Sequence, residues 1–248
     1  MNVLITGASS GIGAALAVET AKSGGNLHLS GRDTARLHEV AERCRSVNPQ
    51  VKVFEQTLDV TDAEGMAGWI AAADAATPLD RVFANAGVST GEENEENSRR
   101  TFAINVGGTV NTVHPAIAAF RKRGRGQVVI TASIAGYGPL KACPAYSATK
   151  ACVKTWGLAL RGMFKPEGIK VNVVCPGFVR SRITDGNTCP MPFFMEADRA
   201  ARIILTRADR DVGLIAFPWP MRFAVWLLAG LPHFLGEAVN RLLPAKVL

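Results

Sequence analysis

The chain has 248 residues, of which 48% are hydrophobic and 20% are charged. A chain of this length and composition can bury a large core, which excludes a disordered protein and a small disulfide-rich scaffold. The net charge of +7 permits acidic ligands such as phosphates. The basic residues are scattered, however, so a nucleic-acid partner is not the favoured interpretation.

Cysteine usage and the chain ends indicate a cytoplasmic protein without a metal site. The five cysteines form no C-x-x-C pair, and the four histidines lack metal-ligand spacing. A strand-like run begins at Val3, which leaves no room for a signal peptide. The longest apolar run near the end, Phe223 to Leu231, is too short to span a bilayer.

Short β-branched runs alternate with longer amphipathic stretches along the chain. This alternation is typical of an α/β fold whose parallel sheet carries helices on both faces. Strands are predicted at Asn2–Thr6, Asn26–Ser30, Lys52–Gln56, Arg81–Ala84, Gln127–Thr131, Lys170–Cys175 and Gly213–Phe217. Helices are predicted to begin near Asp33 and near Thr61, where Thr61 and Glu64 have the spacing of a capping box. No linker divides the chain, so residues 1–248 are interpreted as one domain with ligands beyond the carboxyl ends of the strands.

A glycine-rich turn, Thr6-Gly7-Ala8-Ser9-Ser10-Gly11-Ile12-Gly13, follows the first predicted strand. Gly7 allows a tight turn, and Gly11 allows a diphosphate to approach the backbone closely. Gly13 allows the helix to pack on the strand. The N–H groups and the dipole of the helix N-terminus favour negative charge there. An ordinary glycine-rich turn is the alternative, but the position between strand and helix favours a dinucleotide site.

A second motif, Tyr146-Ser147-Ala148-Thr149-Lys150, opens a predicted helix. Residues i and i+4 share a helix face, so Tyr146 and Lys150 can point into one site. The ammonium and the positive ring of an oxidised dinucleotide cofactor favour the phenolate, so the pKa of Tyr146 is expected below its usual value of about 10. Ser133 follows the fifth strand, where its hydroxyl can hydrogen-bond a substrate oxygen that gains charge. The alternative for the helical pair is an ordinary surface contact.

The glycine spacing G-x-x-x-G-x-G, together with Ser133, Tyr146 and Lys150 in this order, resembles the short-chain dehydrogenase/reductase family in its compact single-domain division. The resemblance covers about Asn2 to Ser181. It implies a Rossmann-type fold, a doubly wound and mostly seven-stranded parallel sheet with helices on both faces. It also implies an NAD(P)-dependent enzyme that interconverts a carbonyl and a secondary alcohol.

The resemblance also implies roles for further residues. Asn105 corresponds to the asparagine that steadies a water near the lysine, and Asp59 to the acid that holds the adenine amino group. Ser181 stands where the family usually has a threonine near the nicotinamide carboxamide. The residues implied to hold the dinucleotide are Gly7, Ser9, Ser10, Gly11, Ile12, Gly13, Arg32, Asp59, Val60, Asn85, Ala86, Gly87, Tyr146, Lys150, Pro176, Gly177, Val179 and Ser181.

The residues at the end of the second strand are expected to determine whether NAD(H) or NADP(H) binds. Asp33 lies about 20 residues beyond Gly13, the distance at which an acid contacts the ribose 2′-hydroxyl in an NAD enzyme. The strand is predicted to end at Ser30, however, and the family's acid position is Gly31. Arg32 can pair with a 2′-phosphate and stack on adenine, which leaves Asp33 as the N-cap of the next helix. We therefore expect NADP(H) in preference to NAD(H).

Two apolar segments remain. Residues 178–195, by resemblance a lid over the substrate, hold Met191-Pro192-Phe193-Phe194-Met195, which suits an apolar or bulky substrate; the alternative is packing on the core. Residues 217–248 are rich in tryptophan, phenylalanine and leucine. Contact with a second subunit, an apolar substrate channel and a membrane surface are the interpretations, in that order. We therefore expect a homo-dimer or homo-tetramer.

Function classes other than a freely soluble oxidoreductase stay open. A membrane-surface-associated reductase of lipid or polysaccharide assembly rests on residues 217–248 alone. A non-catalytic NADP(H)-sensing protein is disfavoured because both Tyr146 and Lys150 are present. The acidic stretch Glu92 to Glu96 could admit a basic substrate, but a solvated loop is the favoured interpretation.

Overall fold

The computed structural model describes residues 1–90, 92–185, 190–232, 234–235 and 237–238. Its centre is a 7-stranded parallel sheet in the order β3-β2-β1-β4-β5-β6-β7. The strands are β1 (Asn2–Thr6), β2 (Asn26–Gly31), β3 (Val53–Thr57), β4 (Arg81–Ala84), β5 (Gly126–Thr131), β6 (Ile169–Pro176) and β7 (Leu214–Phe217). Every predicted strand is present, with ends shifted by a single residue at most. The predicted Rossmann-type α/β fold is confirmed.

Helices cover both faces of the sheet. They are α1 (Gly11–Lys22), α2 (Thr34–Val47), α3 (Ala63–Ala76), α4 (Glu95–Phe102), α5 (Gly108–Arg121), α6 (Pro144–Phe164), α7 (Arg182–Asp185), α8 (Ala197–Asp209) and α9 (Trp219–Ala229). A π-helical turn at Ala103–Gly107 joins α4 to α5, and a 3₁₀ turn at Ile134–Tyr137 follows β5. None of the described helices is long and apolar enough to cross a membrane.

Side-chain alternation along the strands builds a separate core on each face. In β1, Val3 and Ile5 belong to the cluster under α1, α2 and α8, whereas Leu4 belongs to the cluster under α3, α5 and α6. Successive strand residues point to opposite faces, and both faces are covered. The strands therefore read as continuous apolar runs, which is the pattern that identified them in the sequence.

The strand order reverses beside β1, which lies between β2 and β4. Ligand crevices of doubly wound sheets lie at such a switch point, beyond the carboxyl ends of the strands. Thr6 ends β1 and fixes this edge, since its Oγ1 donates to the carbonyl of Phe83 (3.2 Å) and accepts from the backbone N–H of Asn85 (3.1 Å) and Ala86 (3.2 Å). Thr6 thus joins the glycine-rich turn to the segment after β4.

Helices α2 and α3 both begin near the predicted residues, but the capping residue of α3 differs from the predicted one. Asp33 caps α2, as expected, by accepting from the backbone N–H of Arg36. The predicted capping box of Thr61 and Glu64 is wrong, because Asp62 is the N-cap of α3 and accepts from the backbone N–H of Gly65 (2.9 Å). The Thr61 hydroxyl is used elsewhere, donating to Asp59 Oδ1 (2.9 Å).

Parts of the apolar segments predicted near the C-terminal end lie outside the described residues. These are residues 186–189 of the expected lid and residues 233, 236 and 239–248 of the tail, with Cys189, His233 and Pro244 among the side chains concerned. In the described part of the tail, α9 begins directly after Pro218 and carries Pro220 in its first turn. Proline is tolerated there because the first N–H groups of a helix have no intrahelical acceptor.

Candidate active site

A cleft of about 940 Å³ opens at the carboxyl ends of the strands. Its walls come from the glycine-rich turn, the ends of β2, β4, β5 and β6, and the first turns of α6 and α7. Of the predicted site residues, all but Gly13 and Asn105 line it. The fold therefore brings the predicted dinucleotide site and the predicted Ser–Tyr–Lys group into one cleft.

The glycine-rich turn has the backbone that a dinucleotide cradle requires. Gly7 and Gly11 have positive φ values of 67° and 54°. Gly13 lies behind the cleft, where a Cβ atom would collide with the carbonyl of Gly7. Ser10 is the N-cap of α1 and makes no side-chain cap hydrogen bond. The first N–H groups of α1 are thus not capped by Ser10 and fit a diphosphate group.

The adenosine end of the cleft carries paired charges. Arg32 Nη1 lies 3.5 Å from Asp59 Oδ2. Burial would raise the pKa of Asp59, but hydrogen bonds from Thr61 and the Arg32 charge outweigh it and lower that pKa. Asp33 is engaged by Arg36 through both a side-chain ion pair and the α2 cap. Arg32 and Asp59 thus lie together on this wall of the cleft, and their contacts with the base and the ribose remain a prediction.

The segment after β4 passes close to the predicted catalytic lysine. Asn85 Nδ2 donates to the carbonyl of Thr6 (3.2 Å), and the Thr131 hydroxyl donates to Asn85 Oδ1 (3.3 Å). A Cβ atom on Gly87 would lie 3.3 Å from Lys150 Nζ. A side chain at residue 87 would therefore crowd the Lys150 ammonium.

Ser133, Tyr146 and Lys150 meet at the floor of the cleft. Ser133 ends the segment after β5, and its Oγ accepts from the backbone N–H of Ala135 (3.1 Å) as the cap of the 3₁₀ turn. Lys150 Nζ donates to the carbonyl of Thr131 (2.9 Å) and lies 5.7 Å from the centroid of the Tyr146 ring. Both α6 side chains face the same site, as their spacing predicts.

The Lys150 ammonium does not by itself lower the pKa of Tyr146. Burial raises the pKa of Tyr146 to about 12, although the hydrogen bond with Ser133 opposes this. Burial also lowers the pKa of Lys150 to about 8. The sequence argument counted the attraction between the two groups, but desolvation of both is the larger effect. Tyr146 is thus a phenol at neutral pH.

Asn105 lies in the π-helical turn, fully buried behind the cleft wall. Its Nδ2 donates to the carbonyl of Val88 (2.9 Å) and to Thr149 Oγ1 (3.0 Å), and its Oδ1 accepts from the backbone N–H of Val88 (2.8 Å). Asn105 therefore ties the segment after β4 to the helix that carries Tyr146 and Lys150. Its contact with a water remains a prediction.

The expected lid divides into parts with different surroundings. Val179, Ser181 and other residues up to Thr184 line the cleft. Phe193 and Phe194 are exposed, whereas Met195 is buried in the core and pairs with Val179 in an isolated β-bridge. The alternative interpretation, packing on the core, therefore describes Met195.

The comparison with known families decides what kind of protein this is. Residues 1–189 match the family described as short chain dehydrogenase. The chain belongs to the short-chain dehydrogenase/reductase family. The resemblance inferred from the sequence motifs is confirmed, and with it an NAD(P)-dependent oxidoreductase activity between carbonyl and alcohol.

Relatives of this dehydrogenase/reductase extend over most of the chain. An uncharacterized oxidoreductase of Myxococcus xanthus is 35% identical over 247 residues, which is 96% of this chain and 95% of that protein. The 11-beta-hydroxysteroid dehydrogenase A of Sesamum indicum is 33% identical over 250 residues, 90% of this chain and 70% of that protein. Among solved structures, a short-chain dehydrogenase from Sphingobium yanoikuyae in complex with NADPH superimposes with a TM-score of 0.81 at 27% identity, covering 94% of this chain and 96% of that one.

Sequence reasoning missed part of the cleft wall of this dehydrogenase/reductase. The additional lining residues include Leu58, Val88, Ser89, Thr90, Asn97, Arg100, Ile104, Arg182 and Ile183. Val88, Ser89 and Thr90 directly follow the Asn85-Ala86-Gly87 turn, and Arg182 directly follows Ser181, so adjacency to a motif was a usable signal. Ile104 directly precedes Asn105 and carried the same signal. Asn97 and Arg100 carried none, because α4 reaches the cleft only through its packing on α6.

Proposed function

We propose that the protein is an NADP(H)-dependent oxidoreductase that interconverts a carbonyl and a secondary alcohol on an apolar or bulky substrate. A single observation carries the proposal. Ser133, Tyr146 and Lys150 line the same cleft as the glycine-rich turn and Arg32. A cofactor held by the turn would extend from the adenosine end to the three polar side chains.

The adenosine end favours NADP(H). Gly31 leaves the end of β2 without an acid, and a Cβ there would approach Ser9 Oγ to 3.0 Å. Arg32 is about half exposed toward the cleft, so its guanidinium is available to a 2′-phosphate. The ion pair with Asp59 (3.5 Å) holds one end of the guanidinium. The NADPH complex of the Sphingobium yanoikuyae relative supports the same choice.

The residues of this chain supply proton transfer and orientation. When bound, the dinucleotide supplies or accepts the hydride. In the reducing direction, Tyr146 Oη donates its proton to the substrate oxygen, for which its raised pKa keeps it protonated at neutral pH. The Ser133 hydroxyl hydrogen-bonds the same oxygen and holds it in place as charge develops. Oxidation of an alcohol uses the same contacts in reverse.

Lys150 links the cofactor to the phenol. The carbonyl of Thr131 takes one of its N–H groups, which fixes the ammonium beside Gly87 and leaves two donors. These two donors would serve the ribose hydroxyls of the bound cofactor and the Tyr146 oxygen. Asn105 supports the lysine indirectly by fixing the turn of α6 at Thr149.

An apolar substrate is supported by the cleft wall rather than by the exposed phenylalanines. The side chains near the polar group include Val88, Ile104, Val179 and Ile183. Pockets for apolar ligands combine such walls with a few convergent polar groups. The similarity to a steroid dehydrogenase of Sesamum indicum points the same way.

A second candidate is a reductase that works on a membrane surface. The observation that favours it is the outer face of α9, where Trp219, Phe223 and Trp226 are exposed. The enzyme chemistry would be unchanged, and only the source of the substrate would differ. Flotation of the protein with anionic liposomes tests this candidate: sedimentation away from the lipid would contradict it.

The proposed reaction is tested by screening ketones and secondary alcohols with all four nicotinamide cofactors. We expect turnover of apolar ketones with NADPH and a higher kcat/KM than with NADH. The Tyr146→Phe variant serves as the negative control, because it keeps the aromatic ring and removes the hydroxyl proton that is transferred. Equal kcat/KM for NADPH and NADH would contradict the proposed preference for NADP(H). Turnover by Tyr146→Phe would contradict the proposed reaction.

A further inference from the structure

We propose that Arg182, in the first turn of the lid helix α7, is a cofactor-binding residue that holds the diphosphate of the dinucleotide from the side opposite the glycine-rich turn. The inference rests on the proposed function only in so far as that function requires a bound dinucleotide. It adds a side-chain contact from the lid to a group that the glycine-rich turn otherwise meets through backbone N–H groups.

The backbone places Arg182 over the cradle. Ser181 lies against the glycine-rich turn, since a Cβ atom on Gly11 would come within 2.8 Å of Ser181 Cβ. Arg182 is the next residue, and it lines the same cleft as Ser10 and Gly11. A side chain that starts beside Gly11 and faces the cleft is within reach of a group bound at the N-terminus of α1.

A local network fixes the start of α7. The Thr184 hydroxyl donates to the carbonyl of Val179 (2.9 Å), and its oxygen accepts from the backbone N–H of Ser181 (2.9 Å). Val179 is in turn held by its bridge to Met195 in the core. The backbone of Arg182 is therefore anchored on both sides, and only its exposed side chain has to move to reach a ligand.

The charge of Arg182 is uncommitted, unlike that of its neighbours. Arg32 pairs with Asp59, Arg36 with Asp33, and Arg180 with Glu196. Within the described part of the chain, Arg182 has no acidic group within ion-pair distance. An arginine that faces a cleft without a carboxylate partner is suited to an anionic ligand group.

Asp33 gives an independent indication of where this charge lies. The pKa of Asp33 is lowered first by the hydrogen bonds from Arg36, and the positive charge of Arg182 contributes in the same direction. Arg182 is therefore near the adenosine side of the cleft rather than the substrate side. The backbone position of Arg182 next to Ser181 and its electrostatic influence on Asp33 both favour a guanidinium on this side of the cleft.

The test compares Arg182→Gln with a matched neighbour, Arg180→Gln. Arg180 lies two positions earlier, pairs with Glu196, stacks on Phe194 and is not part of the cleft wall. Dissociation constants for NADPH and NADH are measured by tryptophan fluorescence quenching, without substrate. We expect Arg182→Gln to weaken both cofactors by about 10- to 100-fold, the effect of a lost charged hydrogen bond, and Arg180→Gln to change neither.

Further variants separate this inference from the rest of the proposal. Arg182→Lys keeps a point charge and is expected to recover part of the affinity for both cofactors. Arg32→Gln is expected to weaken NADPH alone. Unchanged binding in Arg182→Gln would overturn the inference, and so would a loss confined to NADPH, because that pattern belongs to the 2′-phosphate. Failure to find a carbonyl substrate, or equal affinity for NADPH and NADH in the wild type, would instead count against the proposed function.

Discussion

The carboxylate of Glu93 accepts a hydrogen bond from the backbone N–H of Ala145 at 3.1 Å, one residue before Tyr146. It also accepts from the Ser98 hydroxyl (2.8 Å) at the start of α4. Cys143, the N-cap of α6, makes no side-chain cap hydrogen bond, so an acid from a distant loop serves the first turn of α6. The interpretation of residues 92–96 as a merely solvated loop is therefore wrong for Glu93.

Removal of this contact should disturb the position of Tyr146. For Glu93→Ala we expect a loss of about 0.5–1 kcal/mol in the free energy of unfolding, because a cap and a favourable helix-dipole charge are lost together. We also expect kcat to fall more than KM rises, since cofactor contacts lie elsewhere. Urea unfolding and steady-state kinetics check both effects. Glu92→Ala in the same loop is the control, and an equal effect of both variants would show that loop charge alone is responsible.

Tyr146→Phe should bind NADPH with nearly normal affinity and lose most of its turnover. The ring and its packing remain, while the transferable proton and the hydrogen bond with Ser133 are removed. Cofactor fluorescence gives the affinity, and single-turnover reduction gives the rate. Wild-type kcat in this variant would show that another group protonates the substrate.

The fold and the centre of the site were predictable because their signals are local. The β-branched runs of strands buried on both faces identify β1 to β7, and the glycine-rich turn lies directly between β1 and α1. The features of the site that the sequence did not predict depend on contacts between segments far apart in the chain. Glu93 with Ala145 and Asn105 with Thr149 join residues far apart in the chain, and no spacing within either segment indicates the partner.

The direction in which the packed fold shifts the Tyr146 pKa could not be predicted from the sequence for a related reason. The spacing of Tyr146 and Lys150 predicts their proximity, but not how completely the surrounding chain removes water from both. Burial raises the pKa of Tyr146 to about 12 and lowers that of Lys150 to about 8. Desolvation is a property of the packed fold, so motif spacing alone cannot give its size.

These pKa directions predict a pH profile for carbonyl reduction. Lys150 is charged below about pH 8 and loses its proton above it, whereas Tyr146 remains a phenol throughout. We therefore expect kcat/KM for reduction to be constant near neutrality and to fall as the pH rises through about 8. Lys150→Met should show a low rate without this descending limb. A wild-type kcat/KM that keeps rising to high pH would contradict the assignment of the limb to Lys150.

Arg32→Ala should weaken NADPH far more than NADH. The guanidinium is partly exposed and shares its charge with Asp59, so we expect a loss near the lower end for a charged hydrogen bond, about 1.5 kcal/mol. Titration of both cofactors gives the difference. Similar losses for the two cofactors would remove Arg32 from the 2′-phosphate site.

Gly31→Asp should shift the preference toward NADH, since an acid there repels a 2′-phosphate and can accept from a 2′-hydroxyl. The structure adds a cost, because the new Cβ would lie 3.0 Å from Ser9 Oγ. The double variant Gly31→Asp/Ser9→Gly relieves that crowding and should show the shift with less loss of overall affinity. A double variant that still prefers NADPH would contradict this interpretation of the β2 end.

The last prediction concerns α9, whose faces differ sharply. Trp219, Phe223 and Trp226 on the outer face are 76%, 57% and 62% exposed, more apolar surface than a short helix normally presents to water. On the inner face, Met221 and Val225 pack against the core, and Met221 Sδ would lie 3.1 Å from a Cβ atom on Gly177. The helix is therefore anchored next to the cleft while its aromatic face lacks cover from the described part of the chain.

Removal of residues 223–248 should give a chain that aggregates or changes its subunit count, because Val225 leaves the core together with the outer face. A sharper variant changes only the outer face. Trp219→Ser/Phe223→Ser/Trp226→Ser should keep the wild-type melting temperature and cofactor affinity, but lower the subunit count measured by light scattering. Met221→Ala is the matched control on the inner face, expected to cost about 2 kcal/mol of stability with an unchanged subunit count.

If the triple variant keeps the wild-type size and the wild type floats with anionic liposomes, the aromatic face covers a membrane rather than a second subunit. If the triple variant keeps the wild-type size and the wild-type protein does not float with the liposomes, the aromatic face is dispensable. The interpretation of residues 217–248 as a contact surface is then wrong.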